Sequence, residues 1–114
     1  MTSPKGSHAK PMAIVAVSIS PTGGTAEEGA SVSRYVARAL EVVRAQDEVR
    51  YRLDPMFTTL EGDLDTIFAL VRRMQEAVFE AGAVRVGTVL KIDDRRDRDV
   101  SMDAKVRSVE EQLE

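Results

Sequence analysis

The sequence predicts an α+β domain in which a four-stranded antiparallel sheet carries two helices on one face, with a further helix at the C-terminus. Three observations predict it. Ala13 to Ser20 is a β-prone run with two apolar faces, two later segments repeat apolar residues every three or four positions, and Asp54-Pro55 splits a pair of short β-like runs.

In the first strand Val15, Val17 and Ile19 share one face while Ile14, Ala16 and Ser18 share the other. A half-solvated strand alternates more cleanly, so this one is expected at the centre of the sheet, covered on both sides. The second cover is expected to be another subunit. After the loop Pro21 to Ala30, the residues Val32, Tyr35, Val36, Ala39, Leu40 and Val43 form one helical stripe, with Ser31 or Ser33 placed to cap its start. Tyr51-Arg52-Leu53 and Phe57 to Glu61 then read as two strands around the Asp54-Pro55 turn, because proline lacks the amide of a central strand and pushes its predecessor toward extended backbone. Gly62-Asp63 is expected to stop the second of them, with Asp63 capping the next helix.

That helix carries Leu64, Ile67, Phe68, Val71, Met74 and Val78 on one face and is expected to end at Gly82. Val84 to Asp93 returns to β character. Ser101 starts a short final helix with the stripe Met102, Val106, Val109 and Leu113. The order β-α-β-β-α-β with right-handed crossovers is that of the ferredoxin-like plait, here with an additional C-terminal helix. Its other sheet face must be covered by that helix or by a partner, since large apolar exposures are seldom tolerated.

The chain has 114 residues, enough for one domain over 12–114 that buries roughly 65% of its unfolded surface. The polar, proline- and glycine-punctuated leader 1–11, a native extension or an added remnant, is expected to have no role in the fold. A formal charge of −3, from 16 basic and 19 acidic side chains, provides no polybasic face for nucleic acid. There is no cysteine, and the single histidine, His8, lies in the leader, which argues against thiolate chemistry and a His-based catalytic or zinc site. No apolar run approaches the roughly 18 residues that cross a bilayer, so a cytoplasmic protein without a membrane partner is expected.

Pro21-Thr22-Gly23-Gly24-Thr25 lacks the Gly-Lys-Ser/Thr ending of a phosphate loop and reads as a turn. Asp93 to Asp99 offers four carboxylates, but its three interleaved arginines favour a solvated or intersubunit salt-bridged segment over a divalent-metal loop. Asp54 and Glu61, with Thr58 between them, are paired acids near the hairpin. Paired carboxylates suit acid/base work, yet no nucleophile, histidine or metal ligand accompanies them.

Three segments together resemble the YkoF-like thiamine-binding family: Ser31-Val32-Ser33-Arg34-Tyr35-Val36, Asp54 to Asp63, and Lys91-Ile92-Asp93-Asp94-Arg95-Arg96-Asp97. The resemblance covers about 12–113 and implies a ferredoxin-like fold assembled through its sheets into a homo-oligomer, dimer or tetramer. It also implies non-catalytic binding of thiamine or its hydroxymethylpyrimidine moiety, without a further cofactor. Asp54 stands where relatives often carry asparagine, and Phe57 where glycine is frequent. On this resemblance and on ligand chemistry, Ser33, Tyr35, Asp54, Thr58 and Glu61 are the expected ligand-binding residues. Glu61 would accept from the aminopyrimidine and offset the thiazolium charge, Thr58 and Ser33 would add polar contacts, and Tyr35, Tyr51 or Phe57 would stack. The alternatives are a regulatory or structural oligomer without a thiamine ligand, and an enzyme.

Overall fold

The computed structural model describes residues 12–23 and 32–114. The expectations for the leader, for Gly24 and Thr25 of the glycine-containing turn and for Ser31 as a cap lie outside those residues. The element order is β1 (Met12–Pro21), α1 (Val32–Arg44), β2 (Arg50–Leu53), β3 (Thr58–Asp63), α2 (Leu64–Glu80), β4 (Val86–Asp94) and α3 (Met102–Gln112).

The sheet order is β2-β3-β1-β4 and each neighbouring pair is antiparallel, the ferredoxin-like arrangement. β1 is central, as its two apolar faces require. It pairs with β3 from Met12↔Asp63 to Val17↔Thr58 and with β4 from Ala13↔Asp94 to Pro21↔Val86. Residues opposite one another in such ladders share a face. Val15, Val17, Ile19 and Leu60 therefore face the helices, where they pack with Tyr35, Ala39, Val43, Ile67, Leu70, Val71, Met74 and Val78. Full burial of each large member of this cluster contributes about 1.5–3 kcal/mol.

The differences from the expected elements are local. β3 runs through Gly62, which pairs with Ala13, so the strand ends at the cap residue and not at the glycine. Asp63 accepts from the Thr66 amide at 3.0 Å and from its hydroxyl at 2.8 Å. On α2, Phe68 is 44% exposed and Leu70 takes the core position, because Ile67, Leu70, Val71, Met74 and Val78 define a stripe whose flank carries residue 68. Gly82 follows the helix at φ 120°, a conformation that favours glycine, and donates to the Phe79 carbonyl. β4 starts at Val86 instead of Val84, whose side chain is almost fully exposed.

Two tight connections set up the far edge. Gln46 clamps the α1–β2 link: its side-chain amide donates to the carbonyls of Val43 and Val49, and its oxygen accepts from the amides of Glu48 and Val49. The Asp54 amide bonds the Phe57 carbonyl at 3.0 Å, which closes the β2–β3 turn around Pro55. Among the described residues no helix is long and apolar enough to cross a membrane.

Replacing Asp63 by Ala removes the α2 cap and is expected to destabilise the domain by about 1 kcal/mol in chemical denaturation. An unchanged midpoint would show that the capping bonds contribute nothing net.

Candidate functional site

The strand register divides the expected ligand residues between two sides of the sheet. Thr58 stands opposite Val17 on the helix side and is buried, and Tyr35 belongs to the core beneath it. The Arg34 guanidinium lies 4.5 Å above the Tyr35 ring. Ser33 is exposed in the first turn of α1. Glu61 stands opposite Ile14 and Arg50, on the face away from α1 and α2. Asp54 accepts from Thr59 at 3.5 Å and lies 3.9 Å from Arg52, and both of these residues share the Glu61 face. The five residues do not converge: Glu61 and Asp54 share one side, while Thr58 and Tyr35 lie on the other.

Glu61 is 7% exposed and sits on a face that the two core helices leave uncovered. A carboxylate so placed needs partners, and two are present. Its Oε1 accepts from the Met102 amide at 2.8 Å, and its Oε2 accepts from Arg50 Nη1 at 3.1 Å. Met102 is the first residue of α3, so the charge also lies at the positive end of that helix. The Ser101 hydroxyl accepts from the Ala104 amide and caps the same turn.

Other charges tie this turn to the sheet. Arg50 also donates to Asp103 at 3.4 Å, Arg52 lies 3.9 Å from Asp103, and Lys105 pairs with Asp93 at 2.7 Å. The Asp103 hydrogen bond, then the charge of Glu61, holds the Arg50 guanidinium still more firmly protonated than usual. Asp93 stands opposite Ile14 on β4, so Asp93, Ile14, Glu61 and Arg50 form one row across all four strands. α3 crosses this row at its N-terminal end.

The expected stripe on α3 divides accordingly. Met102 is 5% exposed, whereas Val109 is 61% and Leu113 79% exposed. Val89, on the same sheet face as Ala16 and Ser18, is also largely exposed. In the Asp93 to Asp99 segment, Arg95 pairs with Asp97 and Arg96 with Asp94, and these bonds hold both aspartates below the usual carboxylate range. The segment is thus salt-bridged, as its interleaved charges suggested.

Two of the grooves lined by described residues lie on the helix side. One, of about 440 Å³, runs between α1 and α2 past Arg38, Ala45, Ala77 and Glu80. The other, of about 430 Å³, lies between α1 and β2 and is lined by Leu40, Glu41, Arg44, Tyr51 and Leu53. Neither includes Ser33, Tyr35, Asp54, Thr58 or Glu61.

Sequence reasoning missed Arg50, Asp103 and Lys105 as partners of the acidic face. The alternation Arg50, Arg52 was a signal, since period two puts both beside Glu61 once β2 and β3 are paired. Nothing local marks Asp103.

These features define a small ferredoxin-like domain with a buried carboxylate on its second sheet face. A family model described as thiamine-binding protein matches residues 15–110, and the chain belongs to that family. The UPF0045 protein YqgV of Bacillus subtilis is 42% identical over 106 residues, covering 90% of this chain and 99% of its own length. A UPF0045 protein of Methanothermobacter thermautotrophicus is 48% identical over 84 residues, 73% of this chain and 84% of that protein. Among solved structures, the hypothetical protein MJ1052 from Methanocaldococcus superposes with a TM-score of 0.77 at 35% identity, covering 89% of this chain and 98% of its own. TM0486 of Thermotoga maritima, provisionally assigned to thiamine biosynthesis or salvage, shares the fold at a TM-score of 0.71 and 23% identity, covering 87% and 99% of the two chains.

Replacing Glu61 by Ala leaves the Met102 amide without its acceptor and Arg50 with Asp103 alone. Chemical denaturation is expected to show a loss of about 1–3 kcal/mol, while Arg50→Ala, which removes a mostly exposed partner, costs clearly less. Equal losses would mean that the ion pair, and not the amide bond, carries the contact.

Proposed function

We propose that this chain is a non-catalytic binding protein for thiamine or its hydroxymethylpyrimidine moiety, acting as a homo-oligomer, with Glu61 as the group that anchors the ligand. One observation carries the choice of site: within the segment matched by the family, a carboxylate is nine-tenths buried on an otherwise open sheet face. Thiamine pairs an aminopyrimidine with a permanently cationic thiazolium. A carboxylate of this kind accepts from the amine and offsets the positive charge, and each carboxylate oxygen has lone pairs for two donors. Asp54 and Thr59 supply further polar groups on the same face. Thr58 and Tyr35 serve this reading from behind, by fixing the strands and helix that carry the face. No cofactor is needed for binding alone, and the family is named for binding.

The sheet face and the exposed stripe of α3 support self-association. Ala16 and Ser18 are half-buried in the single chain, and Val106, Val109 and Leu113 continue the stripe that Met102 begins. A second copy would cover what the chain's own elements leave open.

The alternative is a regulatory or structural oligomer without a thiamine ligand. A specific feature favours it: both oxygens of Glu61 already have protein partners. Calorimetric titration separates the two readings. Glu61→Gln is expected to weaken thiamine or hydroxymethylpyrimidine binding by about 1.5–3 kcal/mol, roughly 10- to 100-fold, with the fold retained. Wild-type affinity in that variant would remove the charge from the mechanism, and no binding by the unmodified chain would favour the ligand-free oligomer. Light scattering is expected to show an oligomer, and a stable monomer at micromolar concentration would contradict the assembly.

A further inference from the structure

α3 is fastened to the sheet at one end only. Met102 is its single buried residue, and its polar contacts with the sheet are the Met102 amide on Glu61, Asp103 on Arg50 and Arg52, and Lys105 on Asp93. All of them fall in the first four residues of the helix. Because the amide meets Glu61 and Lys105 meets Asp93, the helix passes over Ile14, which stands between those two acids and is itself buried.

With α3 in place, the Glu61 side chain is only 8% exposed, too little for an aromatic ring to bring an amine into the carboxylate plane. The Met102 N–H and the exocyclic amine of an aminopyrimidine are also donors of the same kind. We propose that α3 is a lid: the first amide of the helix and the ligand's amine compete for Glu61 Oε1, so that ligand binding lifts the N-terminal turn of α3. This proposal rests on the assignment of Glu61 as the ligand's anchor.

Lifting that turn uncovers a site suited to the two halves of the ligand. It removes Lys105 from Asp93 and Asp103 from the two arginines, one charge of each sign, so the net charge of the face is unchanged. Asp93 is left with no cation from α3, at two strand spacings, about 10 Å, from Glu61. Ile14 forms an apolar floor between the two carboxylates. A ligand with an amine on one ring and a fixed cation on a second lies along this row, with its amine on Glu61 and its cation toward Asp93. Arg50 remains on Oε2 and keeps the carboxylate oriented.

Met102→Pro provides the direct test, since position 102 opens the helix, where proline is well tolerated, and Ser101 already has the extended backbone (φ −148°, ψ 152°) that precedes proline. The variant lacks the competing N–H. Met102→Ala keeps the N–H but truncates the buried side chain, and so isolates packing. Thiamine is the probe, followed by calorimetry and by amide hydrogen exchange in the full chain. Saturating thiamine is expected to speed exchange of the amides at 102–106 at least tenfold. Met102→Pro is expected to bind at least fivefold more tightly than both the unmodified chain and Met102→Ala. Binding by Met102→Pro alone also supports the lid. Thiamine binding that leaves α3 exchange unchanged or slower, with no gain in Met102→Pro, overturns the lid while the binding function stands. Failure of both chains to bind thiamine overturns the binding function and the lid with it.

Discussion

The constraint on which the rest of the structure depends is the position of β1, hydrogen-bonded along both edges and largely apolar on both faces. Period-two geometry allows no compromise here: a strand that sends Val15, Val17 and Ile19 into one core must send Ile14, Ala16 and Ser18 to the opposite side. The helix side is completed within the chain by α1 and α2. The other side is completed at one end by the first turn of α3, and its central and far parts expose Val89 beside half-buried Ala16 and Ser18. That unequal cover gives the domain one permanent core and one face available for a ligand, a lid or a second copy.

Glu61 follows from the same constraint. Its position opposite Ile14 places a carboxylate on the second face beneath the start of α3, where desolvation without partners would be costly. The chain answers with a helix amide on one oxygen and a guanidinium on the other. The amide comes from an element joined to β4 through the salt-bridged segment 94–99, and the guanidinium from a strand whose approach is fixed by the Gln46 clamp. Separate parts of the chain thus meet on one side chain, which couples the docking of α3 to the chemistry of that carboxylate.

Much of the fold was legible because the signals were periodic or local. The β1 run, the α1 and α2 stripes, the Asp54-Pro55 turn and the caps Asp63 and Ser101 each contain their own explanation within a few residues. Boundaries set by pairing were less legible: Gly62 looked like a stop, but its ladder with β1 carries the strand through it. The site was least legible. Thr58 and Glu61 are close in sequence, yet their odd spacing sends them to opposite faces, and the partners of Glu61 come from 11 and 41 residues away. Such long-range meetings are properties of register and helix placement, which no local pattern encodes.

The central claim is that the second sheet face, and Glu61 within it, forms the ligand site. Its most direct test is nuclear magnetic resonance with carbon-labelled carboxyl groups during a thiamine titration. The account predicts that the largest shifts fall on the Glu61 and Asp93 carboxyl carbons and the Met102 amide, with Thr58 and Tyr35 little affected. Shifts concentrated on Leu40, Tyr51 and Leu53 in the groove between α1 and β2, with the Glu61 carbon unmoved, would contradict it.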